Sequence, residues 1–596
     1  MTTYNAPLRD MQFVLNDLLK IDSYGDLPGF ADASPDLVDA ILTEGAKIAE
    51  EVLHPLNQVG DRQGCHLENG VVRIPEGFKA AYDMYAKGGW GGLTSDPEYG
   101  GQGLPQVVGI AVSEMVSAAN MAFSMYPGLT HGAYSAIDAH GSDEQKKMYL
   151  PNMVSGKWAG TMNLTEPHCG TDLGLMRTKA VPQDDGTYKI TGTKIFISAG
   201  DHELTENIIH LVLAKIAGAP EGIKGVSLFI VPKYLVQEDG SLGARNGVTC
   251  GSLEEKMGIH GNSTCVLNYE GATGTLIGSS NKGMRAMFTM MNAARLGVGM
   301  QGMSQSEVSY QNAVAYAKER LQGRALTGPK APDQAADPII VHPDIRRMLM
   351  DQKAFNEGAR ALMYWTALQG DLSHMAPDEE MRQKADDLMG LITPVIKGYL
   401  TDIGFAHTVN AQQVLGGHGY IQESGLEQFV RDARITMIYE GANGVQALDL
   451  VGRKLASNGG RAIFSFLAEL EAYLKEHEGD ETIELHLQTL AQAKTYLEDA
   501  TNWLMENGLK NPDNAGAAST DYLHLFGLVL MAWVWAQMAK AAQDKVANGA
   551  GEDPFYQNKL KTARYFSERI FPDAAAHLAK LKSGSDSMMA LQAEDF

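Results

Sequence analysis

The sequence predicts an α+β protein of several domains, with helices and strands segregated along the chain instead of alternating. Helical periodicity, with apolar residues three and four apart, runs through most of 11–157, as in 37–52 and 78–87. Between about 160 and 278 the texture changes to short β-type runs at 188–190, 194–197, 207–214, 226–231 and 265–268. Turn residues such as Asp184, Gly186, Gly192 and Gly200 punctuate them. From 283 onward the helical period returns and persists to the end. Runs of one kind followed by runs of another argue for separate helical and β domains.

In order, 1–159 reads as a helical domain broken by the Gly-rich loop 96–105. Residues 160–282 read as a small antiparallel barrel or sandwich. Residues 283–455 begin with a long helix carrying Met284, Met287, Met290, Met291, Met300 and Met303, a stripe typical of adaptable core. The Pro/Gly-containing stretch 323–343 reads as an exposed loop, after which helix resumes to about 455. A linker at 457–460 leads to a further helical unit, 456–596, with breaks at 511–514 and 548–554. Its most apolar run, FGLVLMAWVWA at 526–536, is shorter than the roughly 20 residues a bilayer span needs and reads as a core helix.

The chain has 596 residues, 44% hydrophobic and 20% charged, enough for a large core. With 49 Lys and Arg against 72 Asp and Glu, the net charge is −23. That argues against nucleic acid or an anionic membrane as the main partner, while leaving room for a local basic patch that binds a small anion. Cys65, Cys169, Cys250 and Cys265 form no CxxC pair, so free thiols in a reducing compartment are expected. The acidic N-terminal stretch has no long apolar core of a signal peptide, and a cytoplasmic location is expected.

Six short motifs stand out, one of them KMGIHGNST at 256–264. LTEPHCGTD at 164–172 offers backbone N–H groups and small hydroxyls that can hold a flat heterocycle. GTKIFIS at 192–198 ends a strand in an aromatic and a hydroxyl. Arg295 and Arg320 are cations suited to phosphate. QVLGGHGY at 413–420 has clustered glycines that let a ligand approach the backbone, but it is not a Rossmann fingerprint. RITMIYEGANGVQ at 434–446 places Glu440 among apolar neighbours, just before Gly441. A buried carboxylate there, with its pKa raised, is a candidate general base. Each motif alone also has a plain structural reading as a turn, a strand end, a solvated Arg or a helix-start carboxylate.

Their order and spacing resemble the acyl-CoA dehydrogenase family over about residues 40–455. The resemblance implies a helical N-terminal domain, a middle antiparallel β-barrel and a C-terminal four-helix bundle, here followed by an extra helical domain. It implies FAD as cofactor, held by Met162, Leu164, Thr165, Gly170 and Thr171, by Phe196 and Ser198, and by Gln413, Gly416 and Gly417. Arg320 falls on the arginine that reaches the FAD pyrophosphate of a neighbouring subunit. Arg295 and Gly441 fall beside the substrate, and Glu440 on the catalytic base. No Asp or Glu occurs in 283–306, where some relatives carry the base. Ala442 stands where members commonly have Thr, and no aromatic follows Arg320 as the family pattern would have it.

The resemblance further implies α,β-dehydrogenation of an acyl-CoA thioester: Glu440 takes the α-proton and the β-hydride goes to flavin N5. The opening YNAPLRDMQFVLNDLL, YAKERLQGRAL at 316–326 and IYEGANGVQALDLVGRKL at 438–455 are similar to a long bacterial branch of the family. That branch includes enzymes acting on 3-(methylthio)propanoyl-CoA in dimethylsulfoniopropionate breakdown, which is the substrate expected here. Short- to medium-chain fatty acyl-CoAs, or an oxidase passing electrons to oxygen, are the alternatives. Electron-transferring flavoprotein as acceptor and a homodimer are implied as partners, with no metal.

Overall fold

The computed structural model describes residues 2–596. By compactness it divides into two units, each drawn from separated segments. A helical unit comprises the chain up to Thr43, Pro105–Glu114 and Val298–Phe596; a barrel unit comprises Glu44–Leu104 and Met115–Gly297.

In the barrel unit a small hairpin, β1 (His66–Glu68) and β2 (Val71–Arg73), precedes the helices Met121–His140 and Asp143–Val154. Asn120 caps the first of these by accepting from Phe123 N at 3.0 Å, and Ser142 with Gln145 forms a capping box on the second. Then come β3 (Trp158–Asn163), β4 (Lys179–Pro182), β5 (Tyr188–Ser198), β6 (Asn207–Ile216), β7 (Val226–Pro232), β8 (Tyr234–Val236), β9 (Leu242–Arg245), β10 (Val248–Leu253) and β11 (Thr264–Ile277). Strands β11, β5, β4, β6 and β7 pair in that order and β7 returns to β11, closing a ring. β10 extends the sheet from β11, and β8 with β9 forms a separate hairpin.

The barrel is therefore not wholly antiparallel as expected: β4–β6 and β3–β6 are parallel. Parity requires one such pair, because an odd ring of strands cannot alternate direction all the way round. β3 and β4 lie one after the other along the same edge of β6, so the chain leaves that edge at 164 and rejoins it at Thr178, whose carbonyl accepts from Lys215 N at 2.9 Å. The excursion between them is the LTEPHCGTD segment.

Both faces of β6 and β7 are buried. Leu211, Leu213, Leu228 and Ile230 join Leu150, Trp158 and Met290 in one core. Val212, Ala214, Phe229 and Val231 join Ile190, Leu267 and Tyr269 in the barrel interior. That is why these strands read as continuous apolar runs. Gly192, expected in a turn, instead lies inside the continuous strand β5. A Cβ there would sit 2.4 Å from Thr178 Oγ1, so close approach explains the glycine.

In the helical unit the last part of helix Gly283–Glu319 packs on helix Glu379–Val414 through glycines: a Cβ on Gly404 would meet Gly302 O at 2.3 Å. Helices Pro343–Met375 and Leu426–Arg434 complete this group. The 323–343 stretch is surface loop, but not a loose one. Asp337 is fully buried within it and accepts from the amides of Ala325 (2.8 Å), Lys330 (2.9 Å) and Ala331 (2.7 Å). Those amides hold its carboxyl down at about 2.

The C-terminal helices pack inside the same unit. Pro512–Lys545 is the one helix among the described residues long and apolar enough to cross a membrane; 83% of its most apolar window is buried within the protein. A Cβ on Gly527 would lie 2.3 Å from Tyr399 Cγ, and one on Gly398 2.7 Å from Leu523 Cδ1, so backbone and side chain are in direct contact. The N-terminal segment is tied in by charge. Buried Arg360 binds Asp10 at 2.5 Å, Glu114 at 2.7 Å and Glu307 at 3.2 Å, while buried Lys559 binds Glu357 at 2.6 Å and also Asp10. All four cysteines are free; Cys169 and Cys265 are buried, and burial pushes the half-buried Cys65 thiol up to about 11.

Candidate active site

The predicted site residues divide between the two units. In the barrel unit, Met162 lies half-buried on β3 and Leu164 and Thr165 on the segment leaving it; Gly170 and Thr171 are exposed. The excursion is anchored underneath. Glu166 closes a tight turn with Cys169 through backbone bonds of 2.8 and 3.0 Å. Its carboxylate accepts from Arg177 N (2.7 Å), Thr178 N (3.0 Å), Thr178 Oγ1 (2.5 Å) and Lys194 Nζ (2.9 Å). Burial opposes the Glu166 anion, but Lys194 and Thr178 outweigh it and hold the carboxyl below its usual range. Lys194, itself buried, also donates to Leu164 O at 2.9 Å, and Ile195 N donates to Thr165 O at 2.9 Å. Glu166, His168 and Cys169 offer ligand atoms within 4.8 Å of one another, but the carboxylate is already committed to these donors.

Phe196 is the most telling residue of this half. It occupies left-handed backbone (φ +59) where the β5–β11 register shifts, and its side chain is 59% exposed. A non-glycine residue held in that region inside a strand stores strain, and the bulge aims an aromatic ring outward instead of burying it. Half-buried Ser198 follows two positions on. An outward ring, a hydroxyl and an excursion with open backbone suit a flat, polar-edged ring system such as the flavin of FAD. Arg295 is buried on helix Gly283–Glu319, within 3.5 Å of Asn292 Oδ1 and with its guanidinium 5.9 Å from the Phe288 ring centre.

In the helical unit, Arg320 is exposed just past the end of helix Gly283–Glu319. One turn before it, Tyr316 OH meets His418 Nδ1 at 3.1 Å, joining that end to the Gly416–Tyr420 turn. Gln413, Gly416 and Gly417 are exposed there. A Cβ on either glycine would meet nothing within 4 Å, and only Gly416 has positive φ (+57). This is an open face carrying an amide and a cation, suited to the adenine and phosphate portion of a dinucleotide.

The Glu440 turn follows the short turn Ile435–Met437. Glu440 (φ +57) and Gly441 (φ +87) both adopt left-handed backbone before helix Asn443–Asp449 starts. Two consecutive residues there reverse the chain direction. Gln446, fully buried, holds the reversal by donating to Glu440 O at 3.1 Å and Gly441 O at 3.4 Å. A Cβ on Gly441 would sit 2.4 Å from that Gln446 amide nitrogen. Tyr439 OH donates to Gln301 Oε1; burial and the neighbouring Glu440 push this hydroxyl far up, so it stays protonated. Glu440 itself is half-buried, not fully buried as expected. The left-handed turn, not burial in a core, is what singles it out.

Sequence reasoning missed Glu166 and Lys194, although both lie inside the quoted motifs. It also missed Gln446, the last residue of the Glu440 motif.

Comparison with known proteins identifies the family. Four domain descriptions match in order: "Acyl-CoA dehydrogenase, N-terminal domain" over 39–157, "middle domain" over 161–272, "C-terminal domain" over 281–455, and "Acetyl-CoA dehydrogenase C-terminal like" over 466–592. The chain is 42% identical over 588 residues to 3-methylmercaptopropionyl-CoA dehydrogenase of Ruegeria pomeroyi, covering 98% of this chain and 99% of that one. It is 36% identical over 615 residues to a butyryl-CoA dehydrogenase of Syntrophomonas wolfei, covering 100% and 99%. The crystal structure of an acyl-CoA dehydrogenase complexed with FAD from Bacillus anthracis shares the fold, with a TM-score of 0.75 at 22% identity over 92% of this chain and 88% of that one. The chain belongs to the acyl-CoA dehydrogenase family, FAD-dependent oxidoreductases that act on the CH–CH bond of an acyl-CoA.

Proposed function

We propose that the substrate is 3-(methylthio)propanoyl-CoA, dehydrogenated to 3-(methylthio)acryloyl-CoA, with Glu440 as the base. The full-length identity of 42% to a relative named for that substrate carries the substrate choice. The left-handed turn at Glu440 and Gly441 supports the base assignment.

An α-proton beside a thioester is weakly acidic, so the base needs a fixed position and the enolate oxygen needs a donor. Glu440 serves both ends in this reading: its carboxylate takes the α-proton and its own amide N–H faces the thioester oxygen. Gln446, by holding the consecutive carbonyls of Glu440 and Gly441, braces the turn immediately after that amide. FAD, when bound, supplies the acceptor for the β-hydride. In this reading Met162, Leu164, Thr165, Gly170, Thr171, Phe196 and Ser198 of the barrel unit would hold its flavin, Gln413, Gly416 and Gly417 would meet the adenine portion of FAD, and Arg320 would reach the FAD pyrophosphate of a neighbouring subunit. Arg295 and Gly441 attend the acyl-CoA.

The exposure of Arg320, Gln413 and Tyr420 in a single chain supports completion of the cofactor site by a second copy, hence a homodimer. Electron-transferring flavoprotein as acceptor, the cytoplasm as location and a division after residues 159, 282 and 455 belong to the same reading.

A second reading, a straight-chain short acyl-CoA, is favoured by the 36% full-length identity to a butyryl-CoA dehydrogenase. Steady-state kcat/KM for 3-methylthiopropanoyl-CoA against butanoyl-CoA separates them. The first reading expects a clear preference for the thioether; equal or higher kcat/KM with butanoyl-CoA overturns it.

A further inference from the structure

We infer that Asn443, Asp402 and His524 form a positioning chain through which the C-terminal helices hold the Glu440 turn in its working geometry. The inference rests on the reading of Glu440 as the base.

Asn443 is the first residue of the helix that follows the turn, three positions after Glu440. Its side chain does not cap its own helix; it is spent on helix Glu379–Val414. Oδ1 accepts from Lys397 Nζ at 2.7 Å. Nδ2 donates to Asp402 Oδ1 at 2.7 Å, Thr401 Oγ1 at 2.9 Å and Gly398 O at 3.2 Å. The amide can face only one way. Reversed, it would set its NH2 against an ammonium and its oxygen against a carboxylate. Such an amide fixes rotation as well as distance, so the first residue of the helix cannot roll.

Asp402 then passes the constraint onward. Its second oxygen, Oδ2, lies 2.9 Å from His524 Nε2 on helix Pro512–Lys545. His524 is held in turn by an edge-to-face contact with Tyr399 (5.7 Å) and by stacking on His577 (5.3 Å). His577 Nδ1 meets Asp521 Oδ1 at 2.8 Å. The close approaches at Gly398–Leu523 and Gly527–Tyr399 flank this contact, so the two helices cannot slide relative to each other. One end of the Glu440–Asn443 segment is thus fixed from the C-terminal helices, and Gln446 fixes the carbonyls at the other. A carboxylate that must reach a single α-carbon loses rate steeply when misplaced by a fraction of an ångström.

The test compares His524→Leu, His524→Gln and Asn443→Ala in the full-length FAD-loaded enzyme, with Glu440→Gln alongside. His524→Leu is expected to lower kcat about tenfold while KM stays within about twofold, the signature of a misaligned base. The deuterium isotope effect on kcat with α-deuterated acyl-CoA should rise, because proton removal becomes the slow step. Melting temperature and retained FAD report folding. His524→Gln, which can still donate to Asp402, should restore kcat and the isotope effect. Asn443→Ala should reproduce the His524→Leu pattern and serves in its place if that variant does not fold. Wild-type kcat and isotope effect in both His524→Leu and Asn443→Ala overturn the positioning role. If instead Glu440→Gln reduces its flavin at the wild-type rate, the base reading fails, whatever the other variants do.

Discussion

The ammonium of Lys194 lies 2.9 Å from a carboxylate oxygen of Glu166, and both side chains are shut away from solvent. Burial and partner pull in opposite directions on Lys194, and burial prevails, lowering its pKa. The pair sits beneath the open segment proposed to hold FAD. Replacing Lys194 with Met leaves the Glu166 anion buried with one fewer donor and frees Leu164 O. A loss of about 3–5 kcal/mol is expected, as for other broken buried pairs. Urea denaturation checks the stability, and flavin absorbance of the purified protein checks the cofactor, which should be largely lost. Full flavin retention would show that the pair supports the fold only.

Gly441→Ala is expected to injure catalysis more than folding. The change puts a methyl 2.4 Å from the Gln446 amide at φ +87. The backbone strain amounts to about 1–2 kcal/mol. Relief by a shift of the turn moves Glu440, the proposed base, so kcat should fall at least about tenfold. Stopped-flow flavin reduction measures the rate, and unchanged reduction would mean that Gln446 can yield.

Arg360→Ala should destabilise the helical unit strongly. It strands three carboxylates, of Asp10, Glu114 and Glu307, that one guanidinium now compensates. Loss of a buried partner costs about 3–5 kcal/mol. Limited proteolysis should then cut near the N-terminus, because Asp10 loses one of its two cations. An N-terminus as resistant as wild type would show that Lys559 suffices.

Asp371 predicts a pH dependence. Its two oxygens accept from Gln106 N at 2.8 Å and Val107 N at 3.0 Å, capping a helix from another part of the chain. Burial, only partly offset by those amides, pushes its carboxyl up to about 7. Unfolded, it titrates near 4. A folded-state pKa raised in this way adds stability that is complete below about pH 4 and lost as pH rises through about 7. Three units correspond to roughly 4 kcal/mol as an upper bound. Asp371→Asn should remove that slope. Chemical denaturation of both proteins at pH 5 and 8 tests it; identical slopes would exclude Asp371 as the cause.

The sequence announced what depends on local pattern. The switch from helical to strand period near 160, the long helix after Gly283 and the core character of 526–536 are all periodicity or composition, and all appear in the structure. What it concealed depends on distant partners. Gly192 has the look of a turn because its reason, the Thr178 hydroxyl, comes from another strand. Arg360 and Lys559 look like ordinary helix-surface cations until Asp10, some 350 residues from Arg360, is brought beside them. The parallel pairing of β4 with β6 follows from ring closure, which no single segment reveals. Glu440 was visible as a residue type next to glycine, but its left-handed backbone and half-exposed state were not.

The helix Pro512–Lys545 has a consequence for biosynthesis. The apolar seats on helices Pro343–Met375 and Glu379–Val414 are translated well before the segment that covers them. Until the last part of the chain leaves the ribosome, those seats stand bare, and a stop codon upstream of 512 would release a polypeptide whose greasiest surface has no lid. Chaperone demand should therefore peak late in translation, and shortened messages should yield inclusion bodies in place of a smaller working enzyme.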